Sequence, residues 1–122
     1  MTLKQERMAD RIRELLSGLL RSEVSDPALR GVTVTEVVLD RELEHANVYV
    51  NALGEEARAE EVMAGLRRAR GFLRRELASR IRLRRAPELR FYWDETLSRA
   101  ARIEAMLDSL NIPPAEPKKD ED

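Results

Sequence analysis

The hydrophobic positions fall into stripes whose period changes along the chain. Met8, Ile12, Leu15, Leu16, Leu19 and Leu20 follow one another by short helical steps, so they share one face of an α-helix. Thr2-Leu3-Lys4-Gln5 precedes them in the T-x-x-Q form of a capping box. Asp26-Pro27 is expected to end this helix, because proline pushes the residue before it out of the α region. Val32 to Leu39 is rich in β-branched residues and predicts a strand. After a polar connection from Asp40 to His45, the segment Ala46 to Leu53 alternates. Val48, Val50 and Ala52 lie on one face, Asn47, Tyr49 and Asn51 on the other. A short loop between two such segments predicts an antiparallel pair.

A long helical pattern follows over residues 58–82, with Val62, Leu66, Ala69, Leu73, Leu77 and Ile81 in register. At about 100° per residue, Arg70 falls inside the apolar arc and Phe72 outside it. A kink at Ala69-Arg70-Gly71 resets the phase, and Gly71 makes a kink cheap, so two helices joined at a bend are expected. Pro87 excludes helix after the basic connection from Arg82. Leu89, Phe91 and Trp93 alternate with Arg90, Tyr92 and Asp94, a third strand with Phe91 and Trp93 inward and Tyr92 outward. Asp94 or Thr96 can cap a last helix with the stripe Leu97, Ala100, Ile103, Leu107 and Leu110. Asn111-Ile112-Pro113-Pro114 stops it, and residues 111–122 are expected to form a disordered charged tail. The order α-β-β-α-kink-α-β-α predicts a single α+β domain over residues 1–110. Its sheet has three strands, the second and third parallel across a right-handed crossover. Helices cover one face of the sheet and the other is open.

Charge changes the picture. The chain has 122 residues, 37% of them charged, and a net charge of −1. That average hides an asymmetry. Residues 31–66 carry 2 basic and 8 acidic groups, whereas residues 67–90 carry 10 basic and 2 acidic. All ten of those cations are arginine: Arg67, Arg68, Arg70, Arg74, Arg75, Arg80, Arg82, Arg84, Arg85 and Arg90. A solvated helix face usually mixes both signs, and this segment does not. Guanidinium forks match phosphate and stack on bases, so the segment is expected to bind a polyanion. Arg68, Arg75 and Arg82 form one seven-residue row and Arg67 and Arg74 another, and such rows can follow a phosphate backbone. Lys4, Arg7 and Arg11 on the first helix are candidates for a second contact.

Catalytic signals are missing. There is no cysteine, hence no disulfide, thiolate metal site or cysteine nucleophile. The single histidine, His45, is expected to be an exposed turn residue. The carboxylates Glu55, Glu56, Glu60 and Glu61 lack EF-hand spacing and suit a helix N-terminus. No glycine pair forms a phosphate loop, and no serine sits in a nucleophile elbow. An enzyme, a cofactor and a metal site are therefore not expected. No apolar run is long enough to span a membrane, and the charged first turn is unlike a secretory leader, so a cytoplasmic protein is expected.

The element order resembles the type II KH-like fold. A KH domain has a G-x-x-G loop, whereas the bend here reads Ala69-Arg70-Gly71. That A-x-G, with Asp26-Pro27, the Val-Thr-Val-Thr strand from Val32, Val48-Tyr49-Val50, Gly71-Phe72-Leu73-Arg74, Arg82-Leu83-Arg84 and Pro87-Glu88-Leu89, resembles the bacterial ribosome-binding factor A family over residues 1–110. The resemblance implies a monomeric factor that binds free small (30S) ribosomal subunits and assists late processing of 16S ribosomal RNA. It implies action near the 5′-terminal helix and the decoding region, a requirement in the cold, and release involving a GTPase. It also places Arg70 where the KH clamp loop would be. The other reading of the residues is an arginine-rich module that binds an acidic protein.

Overall fold

In the computed structural model, residues 2–52 and 56–110 are described. The expected charged tail, 111–122, lies outside them. The first helix, α1, spans Leu3–Ser22. Its start is set by the capping box: Gln5 N donates to Thr2 Oγ1 (3.1 Å) and Thr2 N donates to Gln5 Oε1 (3.0 Å). α1 ends at Ser22, earlier than the proline alone would require. Glu23 N closes the last turn on Leu19 O at 2.8 Å, and Asp26-Pro27 instead opens a one-turn 3-10 helix, Pro27–Leu29. Asp26 Oδ1 accepts from Ala28 N at 3.0 Å, and Leu29 is buried beneath that turn.

The strands are β1 (Thr33–Leu39), β2 (His45–Asn51) and β3 (Glu88–Trp93), in the spatial order β1-β2-β3. β1 and β2 are antiparallel, and β2 and β3 are parallel, as the sequence pattern requires. The register of β1 shifts between Val34 and Glu36. Thr35 and Glu36 are adjacent polar residues in an otherwise alternating strand. The irregularity lets both stay exposed while Val34, Val37 and Leu39 are buried.

The second long helix, α2, spans Ala59–Ala78 without interruption. The expected division into two helices at Ala69-Arg70-Gly71 is not found. Gly71 is exposed inside the helix, and only Gly31 (φ 75°) among the described glycines has a left-handed backbone. The phase conflict is resolved by side chains. Arg70 lies at the edge of the apolar arc, and its guanidinium carbon rests 6.0 Å from the centroid of the Phe91 ring. Phe72, on the opposite edge, is half-buried beside Val24 and Ala69, where α2 meets the link after α1. A helix that packs on a sheet and also against a neighbouring helix beside it has a wider buried arc than one stripe suggests.

Ile12 and Leu16 of α1, Val62, Leu66, Leu73 and Leu77 of α2, and Val48, Val50 and Leu89 of the sheet are fully buried together. They form the core between the two long helices and one sheet face. Phe91 and Trp93 are partly buried against it, and Tyr92 faces out at 42% exposure, as their alternation predicts. The third helix, α3 (Thr96–Ser109), begins where Asp94 Oδ1 accepts from Thr96 N at 2.9 Å, so Asp94 supplies the expected cap. α3 does not join α1 and α2 over the sheet. Ile103 (57%), Leu107 (42%) and Leu110 (63%) of its apolar stripe stay exposed. The stripe correctly predicts a helix, but periodicity alone does not say what covers it.

Candidate nucleic-acid interface

The unbroken α2 keeps its two arginine rows at constant azimuth. A seven-residue step turns about 700°, only about 20° short of two full turns. Arg67 and Arg74 therefore border the solvent face on one side, and Arg68 and Arg75 on the other. All four are exposed, as is Arg70. The helix ends at Ala78, so Arg82 drops out of the row predicted for it. Arg80, Arg82, Arg84 and Arg85 sit instead, all exposed, on the segment leading to β3.

Folding brings that segment against two other elements. Arg80 and Arg82 share a depression with Met8 and Arg11 of α1, around Ile81. Arg84 and Arg85 line a cleft with Arg74 of α2 and with Glu42, Glu44 and Glu88. Lys4, Arg7 and Arg11 lie together on the exposed side of α1. The cations separated along the chain thus form a belt from α1, past the end of α2, and up its outer face. The second contact expected on α1 is continuous with the first.

Not every arginine in the belt is available. Arg74 donates through Nε (3.3 Å) and Nη2 (3.0 Å) to the Ala86 carbonyl, pinning the approach to β3 onto the helix. Arg68 donates through Nε and Nη2 to Asp26 Oδ2, at 3.1 and 2.9 Å. Arg80 pairs with Glu76 Oε1 at 2.6 Å, one helical turn back. Arg67, Arg75, Arg82, Arg84 and Arg85 make no ion pair or hydrogen bond among the described residues, nor do Lys4, Arg7 and Arg11. They are exposed, which leaves their donors available to phosphate. Sequence alone gives the same weight to Arg68, Arg74 and Arg75, because Asp26 and Ala86, which occupy Arg68 and Arg74, are distant in the chain.

The carboxylates that anchor this frame are more acidic than usual. Asp26 is held below the ordinary carboxylate value by its hydrogen bond from Ala28 N and then by Arg68. Asp94 is lowered by the hydroxyl of Thr35 and by the side chain and N–H of Thr96. At the β1–β2 turn, burial tends to raise Asp40, but the side chain and backbone of His45 and the N–H of Glu44 outweigh it. His45 is not the exposed turn residue expected. It opens β2, with Nδ1 2.9 Å from Asp40 and Nε2 3.4 Å from Glu88, and so ties the turn to β3. Ligand atoms of Asp40, Glu44 and His45 lie within 4.8 Å of one another, with Asp40 and His45 already joined to each other.

A family profile described as ribosome-binding factor A matches residues 4–107. The chain belongs to the ribosome-binding factor A family. It is 43% identical to ribosome-binding factor A of Halorhodospira halophila, across 96% of this chain and 95% of that protein. It is 43% identical to that of Chromohalobacter salexigens, across 86% of this chain and 82% of that protein. The crystal structure of the factor from Thermus thermophilus superposes with a TM-score of 0.66 at 31% identity, covering 73% of this chain and 93% of the other. A homology model of the Thermus thermophilus factor, fitted into a cryo-EM map of its complex with 30S, superposes with a TM-score of 0.59 at 32% identity, covering 70% of this chain and 90% of the other.

Membership fits the three-stranded mixed sheet. It also sharpens one correction. No clamp loop interrupts the helix at Ala69-Arg70-Gly71, so Arg70 meets solvent from a helical surface. Among the described residues, no helix is long and apolar enough to cross a membrane.

Proposed function

We propose that this protein binds the free or precursor small ribosomal subunit and assists late processing and folding of its 16S ribosomal RNA. The observation that carries the reading is the belt of unpartnered cations over α1, α2 and the approach to β3, in a chain of this family. The belt's convex, helical form suits the outside of folded RNA. Its contact groups are guanidinium and ammonium cations spread over two helices and a loop, so recognition is of shape and phosphate position, and not of sequence. Arg67 and Arg75 meet the RNA from α2, Arg70 from its edge, Arg82, Arg84 and Arg85 from the loop, and Lys4, Arg7 and Arg11 from α1. Arg68, Arg74 and Arg80 hold these groups in place and add charge.

The family likeness supports action at the 5′-terminal helix and decoding region, release assisted by a GTPase, and a cytoplasmic, monomeric protein without cofactor. The chemistry is binding, not turnover. The test is binding of purified 30S subunits by the wild-type chain and by the variant Arg67→Glu/Arg75→Glu/Arg84→Glu. None of these three side chains makes an ion pair or hydrogen bond among the described residues, so the variant is expected to melt like the wild type and to lose binding. Retained binding, or capture by an acidic protein in nuclease-treated lysate with equal loss in the variant, refutes the RNA reading.

A further inference from the structure

We propose that the open face of the sheet, opposite the arginine belt, docks an arginine- or lysine-rich segment of a partner protein. The parallel register sets Tyr49 of β2 beside Tyr92 of β3. Their rings stack with centroids 5.4 Å apart and planes inclined by 28°. Tyr92 is 42% exposed, so the pair presents an aromatic surface to solvent. The antiparallel register places Glu36 of β1 across from Tyr49, on the other side of the pair from Tyr92. Glu36 is exposed because of the irregularity in β1, and its carboxylate makes no ion pair among the described residues.

The sign of the charge selects the partner. Aromatic faces on a sheet can stack RNA bases, but a bound strand also brings phosphates. Here it would bring them past Glu36 and towards Glu88, whose carboxylate is half exposed at the start of β3. Arg90 is the cation of this face, and it already lies 3.9 Å from Glu88. A guanidinium or ammonium group matches the same surface, stacking on a tyrosine while pairing with Glu36. Tyr49, Tyr92 and Glu36 lie across the sheet from α1 and α2, which cover its other face, whereas Glu88 at the rim also borders the cleft lined by Arg84 and Arg85. The protein could then hold RNA on its helices and a basic protein segment on its sheet at the same time.

The test is a titration of the full chain, followed by amide resonances, with a short peptide of alternating arginine and glycine. A glycine–serine peptide and a short oligouridylate serve as comparisons. The arginine peptide is expected to shift the resonances of Glu36, Asn47, Tyr49 and Tyr92 in a saturable way and to leave those of α2 unmoved. Glu36→Lys and, separately, Tyr92→Ala are each expected to weaken it by about tenfold. Glu36→Lys alters only an exposed carboxylate, so it reads out docking even where loss of the tyrosine stack disturbs the sheet. The proposal is overturned if the arginine peptide gives no saturable shift there, or if Glu36→Lys binds it unchanged. It is also overturned if the oligouridylate moves Tyr49 and Tyr92 and the arginine peptide does not.

Discussion

Two glycines of α2 make opposite predictions from the same substitution. Gly71 is exposed in mid-helix, and a Cβ built there would lie 3.4 Å from Arg75 Nη1, the mobile end of a long side chain. Gly71→Ala therefore gains the helix propensity of alanine, about 0.8–1 kcal/mol, with no steric cost. For a domain of this size that raises the melting temperature by about 3–4 °C. Gly65 is buried where α2 meets the 3-10 turn. A Cβ there would lie 3.0 Å from Leu29 Cδ2 and 3.1 Å from Ala28 Cβ. Overpacking costs about 1–3 kcal/mol, which exceeds the propensity gain over most of that range. Gly65→Ala is thus expected to destabilise by up to about 2 kcal/mol. Urea denaturation followed by circular dichroism measures both, with equal slopes required for the comparison. A loss of stability in Gly71→Ala, with reduced binding to 30S, would mean that Gly71 serves as a hinge after all and that the unbroken helix is the wrong basis for the arginine rows.

Arg74→Ala is expected to cost about 1 kcal/mol of stability through the lost bonds to the Ala86 carbonyl, while Arg75→Ala leaves the melting temperature unchanged and weakens subunit binding. Affinity for RNA is expected to fall steeply with salt, log K dropping by about 0.7–0.9 per phosphate neutralised for each tenfold rise in salt. Arg84→Glu/Arg85→Glu is expected to flatten that slope. Asp26, Asp40 and Asp94 titrate lower in the folded chain than in the unfolded one, so they stabilise it above the ordinary carboxylate value. That stability is expected to disappear as the pH falls from about 4 through their lowered values, and Asp26→Asn should make the acid transition shallower. Ile103→Glu on α3 is expected to leave stability within about 0.5 kcal/mol, because the side chain is 57% exposed and outside the core. A large loss in a melting experiment would place α3 against the body.

Most of the fold is legible in the sequence because its signals are local. The T-x-x-Q box, the alternation around Val48 and Val50, and the spacing of Val62 to Leu77 each depend on residues a few positions apart. What was misread depends on distant neighbours. Arg70 and Phe72 suggest a kink if one stripe faces one surface, whereas α2 packs against Phe91 on one side and the link after α1 on the other. His45 reads as an exposed turn residue because the pattern does not show that it opens β2, where it meets both nearby Asp40 and distant Glu88. The arginine cluster was evident from composition, but not which of its members are occupied. Asp26 and Ala86 decide that, and the fold alone brings them to Arg68 and Arg74.

The most direct test of the account is sedimentation of the endogenous protein and of an Arg67→Glu/Arg75→Glu/Arg84→Glu strain through sucrose gradients, from cells shifted to low temperature. The account predicts that the wild-type protein travels with free small subunits and is absent from translating ribosomes, while the folded variant stays at the top. Co-migration of the variant with small subunits, or a wild-type protein confined to the top of the gradient at low salt, would contradict it.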